Sequence, residues 1–277
     1  MGLENVLSKT ESNPRFMKNV TFRHTIPAQA GIYEPLPDFL PAELTELLRS
    51  KGIEKLYSHQ ASSLEAVHAG KDIVVVTPTA SGKTLCYNLP VITTLLENEE
   101  ARALYLFPTK ALAQDQVAEL MAWSDLLGGK IKTYTYDGDT PGDARITIRS
   151  AGSIVVTNPD MLHSGILPHH TKWMRLFENL KYVVIDELHI YRGVFGSHVA
   201  NVLRRLKRIC DFYGASPQFI CTSATIANPQ EHGETLLGRP VTVIDKNGAP
   251  RGQKDLFFYN PPVVNQPLGI RRSSLLE

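Results

Sequence analysis

The sequence predicts an α/β domain: a mostly parallel, doubly wound sheet flanked by helices. Three observations carry that prediction. Seven short runs rich in β-branched residues recur between residues 72 and 245, and most are continuously apolar, as strands buried on both faces are. Longer stretches with helical spacing separate them, which implies βαβ units and parallel neighbours. The first run flows into a loop of small residues and then Gly-Lys-Thr, a strand–loop–helix arrangement that points a helix N-terminus at an anion.

The bulk properties set the outer bounds. A chain of 277 residues holds one large α/β domain or two small ones. Hydrophobic residues make up 43% and charged residues 21%, the balance of an ordinary globular protein. The net charge of +1 gives no global attraction for nucleic acid, so any such contact must be local. Cys86, Cys210 and Cys221 are too widely spaced for a CxxC pair, which argues against zinc and against a disulfide framework and suits a reducing cytosol. No stretch approaches the roughly 20 apolar residues of a membrane span. The opening "MGLENVLSKTESNPRF" lacks the apolar core of a secretory signal.

Taken in order, residues 1–40 are rich in proline and polar residues and read as an extended arm leading into the domain. "PAELTELLRSKG" reads as a short amphipathic helix, with Pro41 near its start, a stripe of Leu44, Leu47 and Leu48, and Gly52 past its end. "SHQASSLEAVHAG" reads as a second helix capped by Ser58 and stopped by Gly70. The expected strands are 72–77, 103–108, 132–137, 153–158, 182–187, 218–223 and 241–245. In such sheets ligands gather at the carboxyl ends of the strands, so the residues at those ends matter most.

The first strand ends in "TPTASGKT", covering Thr77 to Thr84. Against the general GxxxxGK[ST] phosphate loop, Thr77 replaces the first glycine, while Gly82, Lys83 and Thr84 match. Backbone N–H groups over Thr79, Ala80, Ser81 and Gly82 can turn inward around phosphates; Lys83 supplies a cation and the Thr84 hydroxyl a ligand for Mg²⁺. The fifth strand runs "VVIDELH" straight into Asp186 and Glu187. Two carboxylates delivered to the same edge as a phosphate loop suit one group that holds Mg²⁺ and one that orients and activates an attacking water. The sixth strand ends in "CTSAT", whose small hydroxyl residues can bond the acidic strand end or merely form a capping turn. "FPTKALAQDQ" and "TNPDML" bring hydroxyls and helix starts to the same edge, where backbone N–H groups bind phosphates without sequence preference, although two ordinary capped loops would look the same.

In this order, "TASGKT", "PTKALAQDQ", "TNPDM", "DELH" and "TSAT", with "LYSHQ" upstream, resemble the motif series of the superfamily 2 helicases of DExH type over about residues 39–245. Within that superfamily, "VVTPTASGKTLCYNLPV", "YDGDTP" and "DELHIYRGVFGSHVANVLRRL" resemble the MrfA/Hrq-type DNA helicases. The resemblance implies a RecA-like P-loop NTPase fold, ATP and Mg²⁺ as ligands, and ATP-driven 3′→5′ translocation on single-stranded DNA in DNA repair. It implies that Lys83 and Thr84 bind ATP and magnesium, that Asp186 and Glu187 act in hydrolysis, and that His189, Ser223 and Thr225 couple hydrolysis to DNA. Gln60 would read the adenine edge with Tyr57 packed against the base, and Thr109, Lys110, Thr157 and Pro159 would lie along the DNA backbone.

The family pattern also carries a second RecA-like domain with an arginine finger and a cysteine-bearing zinc region. Neither is legible here. Residues 41–245 therefore read as the first RecA-like domain, and 246–277 as a linker or the start of a second, with "KDLFFYN" a candidate first strand. The expectation for this chain alone is weak or slow ATP hydrolysis and no unwinding. Two alternatives stay open: an RNA track, because such motifs touch backbone more than bases, and a nucleotide-gated binding module without efficient catalysis. The basic run Arg204, Arg205, Lys207 and Arg208 reads as the solvated face of an amphipathic helix. His169 and His170 read as a polar loop, Trp123 and Trp173 as packing residues, and Cys86 as buried and inert.

Overall fold

The computed structural model describes residues 2–273, and these divide into two compact units. The larger runs from Ile32 to Ala249; the smaller joins the residues up to Gly31 with those from Pro250 onward.

The larger unit is built on a seven-stranded, wholly parallel sheet. Its strands lie in the order Thr242–Ile244, Ile73–Val76, Gln218–Ser223, Leu180–Ile185, Arg102–Leu106, Ile154–Thr157, Thr133–Thr135. The continuous apolar runs are explained by a period of two with both faces buried. Ile73, Val75, Ala103, Tyr105 and Val184 enter one core, while Val74, Val76, Leu104, Leu106 and Val183 enter the other. The first core is covered by the helices Ala42–Ser50, Ser58–His68, Lys83–Glu97 and Lys110–Leu126. Gly142–Ala151, Met174–Glu178, Gly193–Phe212 and Pro229–Leu237 cover the second. Trp123 and Trp173 are buried, one in each core.

One local reading changes. The Ser58–His68 helix is entered from Tyr57, and Ser58 is its first helical residue, not its cap; the Gln60 amide oxygen, one turn in, reaches back to accept from the Tyr57 N–H at 2.9 Å. The Lys83–Glu97 helix continues through Pro90, which is buried.

The smaller unit departs from the simple extended arm. Leu3–Glu11 and Pro14–Met17 are helical, and the Asn13 side chain caps the second of these by accepting from Arg15 and Phe16 N–H groups. Val20–Ile26 pairs antiparallel with Lys254–Tyr259, in a register that sets His24 opposite Leu256. Phe16 stacks on Tyr259 at 4.8 Å, and Arg23 bridges Glu11 at 2.6 Å and Asp255 at 3.2 Å. The "KDLFFY" strand thus closes on the N-terminal residues.

Candidate active site

Strand order decides where the chemistry converges. The Ile73–Val76 strand is flanked by Gln218–Ser223, which in turn lies beside Leu180–Ile185. Val76 is level with Ser223, and Ile185 with Cys221. Thr77, Asp186 and Thr222 therefore meet at one carboxyl edge although they are distant in sequence.

There the residues Thr79, Ala80, Ser81, Gly82, Lys83, Thr84, Tyr87, Asp186 and Glu187 line a cavity of about 300 Å³. The loop that forms its floor holds two left-handed residues, Ala80 at φ 61° and Gly82 at φ 78°. Such turns aim consecutive N–H groups to one side, and the Lys83 helix begins directly after them. Lys83 Nζ donates to the Thr77 and Pro78 carbonyls at 2.8 and 3.2 Å, and the Thr77 and Ser81 hydroxyls share a 2.6 Å hydrogen bond. Thr77, where the general motif has glycine, is buried and supports the loop from within.

Gln60 packs between its own helix start and the loop. It is 2% exposed, and its amide is engaged at both ends: Oε1 accepts from Tyr57 N–H and Nε2 donates to the Gly82 carbonyl, each at 2.9 Å. Its direct partners are thus the loop and its own helix start. A Cβ on Gly82 would stand 2.6 Å from that Nε2.

Asp186 Oδ1 accepts from the Glu187 N–H at 2.9 Å and from the Thr222 hydroxyl, which leaves Oδ2 without a protein partner among the described residues. Thr222 is fully buried, and its role was not singled out from sequence. Glu187 sits in the left-handed region at φ 53°, an uncommon conformation for a side-chain-bearing residue and one that clusters at functional sites. Burial, and then the adjacent Asp186 carboxylate, push its carboxyl above the usual range, against the opposing pull of His189 and Lys83.

His189 Nδ1 lies 3.1 Å from Glu187 Oε2 and 3.3 Å from the Ala224 N–H. One ring nitrogen cannot serve both. With a proton it donates to Glu187, and without one it accepts from Ala224. The imidazole therefore stands between the acidic strand end and the "TSAT" turn. Ser223 is fully buried and its hydroxyl has no hydrogen-bond partner among the described residues, whereas Thr225 is exposed.

The expected DNA-contacting residues separate into two groups. Thr109 and Lys110 are exposed; Thr109 caps the Lys110–Leu126 helix, and Lys110 is ion-paired with Asp139. Thr157 and Pro159 are buried, and the Thr157 hydroxyl donates to the Tyr136 carbonyl at 2.6 Å. The Thr157 side chain therefore holds the "TNPDM" loop in shape from within. Tyr87, a cavity-lining residue the sequence reading passed over, donates from its hydroxyl to Gln116 at 3.0 Å.

Residues 57–232 match the DEAD/DEAH box helicase family, more than half of the chain. The chain belongs to that family. It is 59% identical over 271 residues to a protein of Bacillus subtilis named uncharacterized ATP-dependent helicase YprA, covering 98% of this chain and 36% of that protein. It is 40% identical to the ATP-dependent helicase HRQ1 of Saccharomyces cerevisiae, covering 98% of this chain and 25% of the relative. A crystal structure of the DUF1998 helicase MrfA bound to DNA superimposes with a TM-score of 0.93 at 59% identity, covering 99% of this chain and 36% of that one. The chain thus spans about a third or less of the length of these relatives. The RecA-like architecture and the MrfA/Hrq-type resemblance read from the motifs agree with these matches. No helix among the described residues is long and apolar enough to cross a membrane.

Proposed function

We propose that this chain is the ATP-binding motor domain of a DNA helicase that couples ATP hydrolysis to 3′→5′ movement along single-stranded DNA in DNA repair, in the cytosol. The observation that carries the reading is the single cavity shared by Thr79–Thr84, Asp186 and Glu187. The inward-turned N–H groups and Lys83 would take the triphosphate, with Lys83 exchanging its two loop carbonyls for phosphate oxygens. Glu187, with its raised carboxyl, would accept a proton from the water that attacks the terminal phosphorus as the bond to the diphosphate breaks.

The Thr84 hydroxyl and the unshared Asp186 Oδ2 are hard oxygen donors on one wall and fit Mg²⁺. When bound there, Mg²⁺ would neutralise charge on the phosphates. Release of phosphate would change what Glu187 offers to His189, and through Ala224 the change would reach the "TSAT" turn. Thr109 and Lys110 would contact the DNA backbone. DNA is favoured as the track by the DNA-bound MrfA structure, and ATP by the AMPPNP-bound structure of that helicase, which has a TM-score of 0.93 with this chain. The relatives' greater length supports a second RecA-like domain as the other wall of the site, supplying the arginine finger that is worth roughly a thousandfold or more in phosphoryl transfer.

The test is steady-state ATP turnover by this chain, with and without single-stranded DNA or RNA, against Glu187→Gln as background. Turnover slightly above background, with nucleotide bound, agrees with a motor domain that needs its second half. Nucleotide binding with turnover at background even after the full-length protein is supplied would leave only a binding module. Stimulation by RNA and not by DNA would reassign the track.

A further inference from the structure

A cavity of about 1010 Å³ lies away from the nucleotide site, beside the Gly193–Phe212 helix. The basic run that reads from sequence as a solvated face lines it. Arg204, Arg205, Lys207, Arg208 and Arg239 contribute five cations to its wall against the two carboxylates of Asp160 and Asp211. This concentration stands out on a chain whose net charge is +1.

The cations are not equally available. Arg239 is committed to Asp72 at 2.5 Å, and Lys207 donates to the Leu237 carbonyl at 2.5 Å. Among the described residues Arg204 reaches only Asn201, one turn away on its own helix, at 2.6 Å, and Arg205 makes one long contact, 3.5 Å, to the His163 carbonyl. Arg208 has no hydrogen-bond or ion-pair partner among the described residues. Arg205 and Arg208, three residues apart, share a helix face with His198 and Asn201. Phe195, 42% exposed, stands at one end of that face, and Phe212, 76% exposed, at the other. Aromatic rings at the two ends of a face whose guanidinium groups have no carboxylate partner are what a single-stranded polynucleotide uses: a path for phosphates and platforms for bases. The groove also begins at Pro159 and Asp160, in the "TNPDM" loop at the carboxyl edge of the sheet, and continues to Ser216 and Pro217 at the amino end of the Gln218–Ser223 strand. Its mouth is therefore next to the edge where the motor domain would meet DNA.

We propose that this groove binds a second stretch of single-stranded nucleic acid, carried from the sheet's carboxyl edge along the back of the domain by Arg204, Arg205 and Arg208. The inference rests on the motor-domain reading and adds a site to it. Binding of a labelled single-stranded oligonucleotide, long enough to reach both surfaces, is measured by anisotropy over a range of salt concentrations. Each phosphate contact on a single strand contributes about 0.7 to the slope of log affinity against log salt, so Arg205→Ala with Arg208→Ala lowers the slope by about 1.4. Arg205→Lys with Arg208→Lys keeps the charge and so keeps most of the slope, and Phe195→Ala weakens binding with the slope unchanged. Circular dichroism confirms that each variant is folded.

An unchanged slope in the double alanine variant, while Lys110→Ala lowers it, overturns the groove and leaves the motor-domain reading intact. A slope unchanged in both variants overturns the groove and places the bound strand elsewhere, whereas no binding by the wild type while nucleotide binds removes the nucleic-acid reading itself. Binding of an acidic peptide that depends on Arg205 and Arg208, without oligonucleotide binding, overturns the proposal in favour of a protein surface.

Discussion

Gly82→Ala probes the nucleotide loop most sharply, because two separate costs can be read from the structure. At φ 78° a side-chain-bearing residue pays about 1–2 kcal/mol for the left-handed conformation. The added Cβ would also stand 2.6 Å from Gln60 Nε2, which is buried and held by the Gly82 carbonyl and, through Oε1, by Tyr57 N–H. Displacing the amide loses that hydrogen bond to the loop, about 1 kcal/mol net. Together the substitution should cost about 2–3 kcal/mol in forming the cradle, and thus roughly 30- to 150-fold in nucleotide affinity. Titration with a fluorescent ATP analogue reads this directly. In a Gln60→Ala background the steric part disappears, so Gly82→Ala should cost only about 1–2 kcal/mol there, giving a coupling of about 1 kcal/mol in a double-mutant cycle. Affinity within threefold of wild type in Gly82→Ala, or strict additivity in the cycle, would refute the claim that Gln60 positions the loop.

Other perturbations separate chemistry from structure. Glu187→Gln should bind nucleotide as the wild type does but lose at least a hundredfold in turnover, measured as phosphate release. Since burial and Asp186 raise the Glu187 carboxyl, wild-type turnover should climb with pH through that raised range. The native state then holds the Glu187 proton more tightly than the unfolded chain, so its contribution to stability falls as pH rises from the ordinary carboxylate range through the raised one. Glu187→Gln should therefore melt above wild type at neutral pH, with the gap closing in acid. Thr222→Val, which removes a donor to Asp186, should cost about 1 kcal/mol of stability and reduce turnover about tenfold, checked by denaturant melts and kcat. Arg239→Ala leaves the buried Asp72 carboxylate with only the Phe219 N–H at 2.7 Å and should destabilise by about 2–3 kcal/mol, partly restored by adding Asp72→Asn.

The sheet was legible because its strands are buried on both faces, so local composition alone marks them; the seven observed strands all fall within or overlap the expected runs. The convergence of "TASGKT" and "DELH" was legible for the same reason, since each motif follows directly on such a strand. What depends on strands meeting side by side was not. Thr222 became a partner of Asp186 only because the Gln218–Ser223 strand lies beside Leu180–Ile185. Gln60 resembled a base reader by its motif, and nothing in that motif showed that its amide also bonds the Gly82 carbonyl and Tyr57 N–H. Thr157 and Pro159 matched a backbone-contacting motif, yet a residue at a strand end alternates in or out, and Thr157 points in. The partnership of Val20–Ile26 with Lys254–Tyr259 joins residues 228 or more positions apart in sequence, beyond any local pattern. The basic run on the Gly193–Phe212 helix has the same spacing whether it faces open solvent or a groove; only the neighbouring "TNPDM" and "SPQ" segments decide.

The central claim is that the cavity between Thr79–Thr84 and Asp186–Glu187 is the ATP site. Equilibrium titration of wild type, Lys83→Ala and Glu187→Gln with a fluorescent ATP analogue and magnesium tests it most directly. The account predicts that wild type and Glu187→Gln bind alike and that Lys83→Ala binds at least 30-fold more weakly while remaining folded. Equal binding by Lys83→Ala and wild type would place the nucleotide elsewhere and contradict the account.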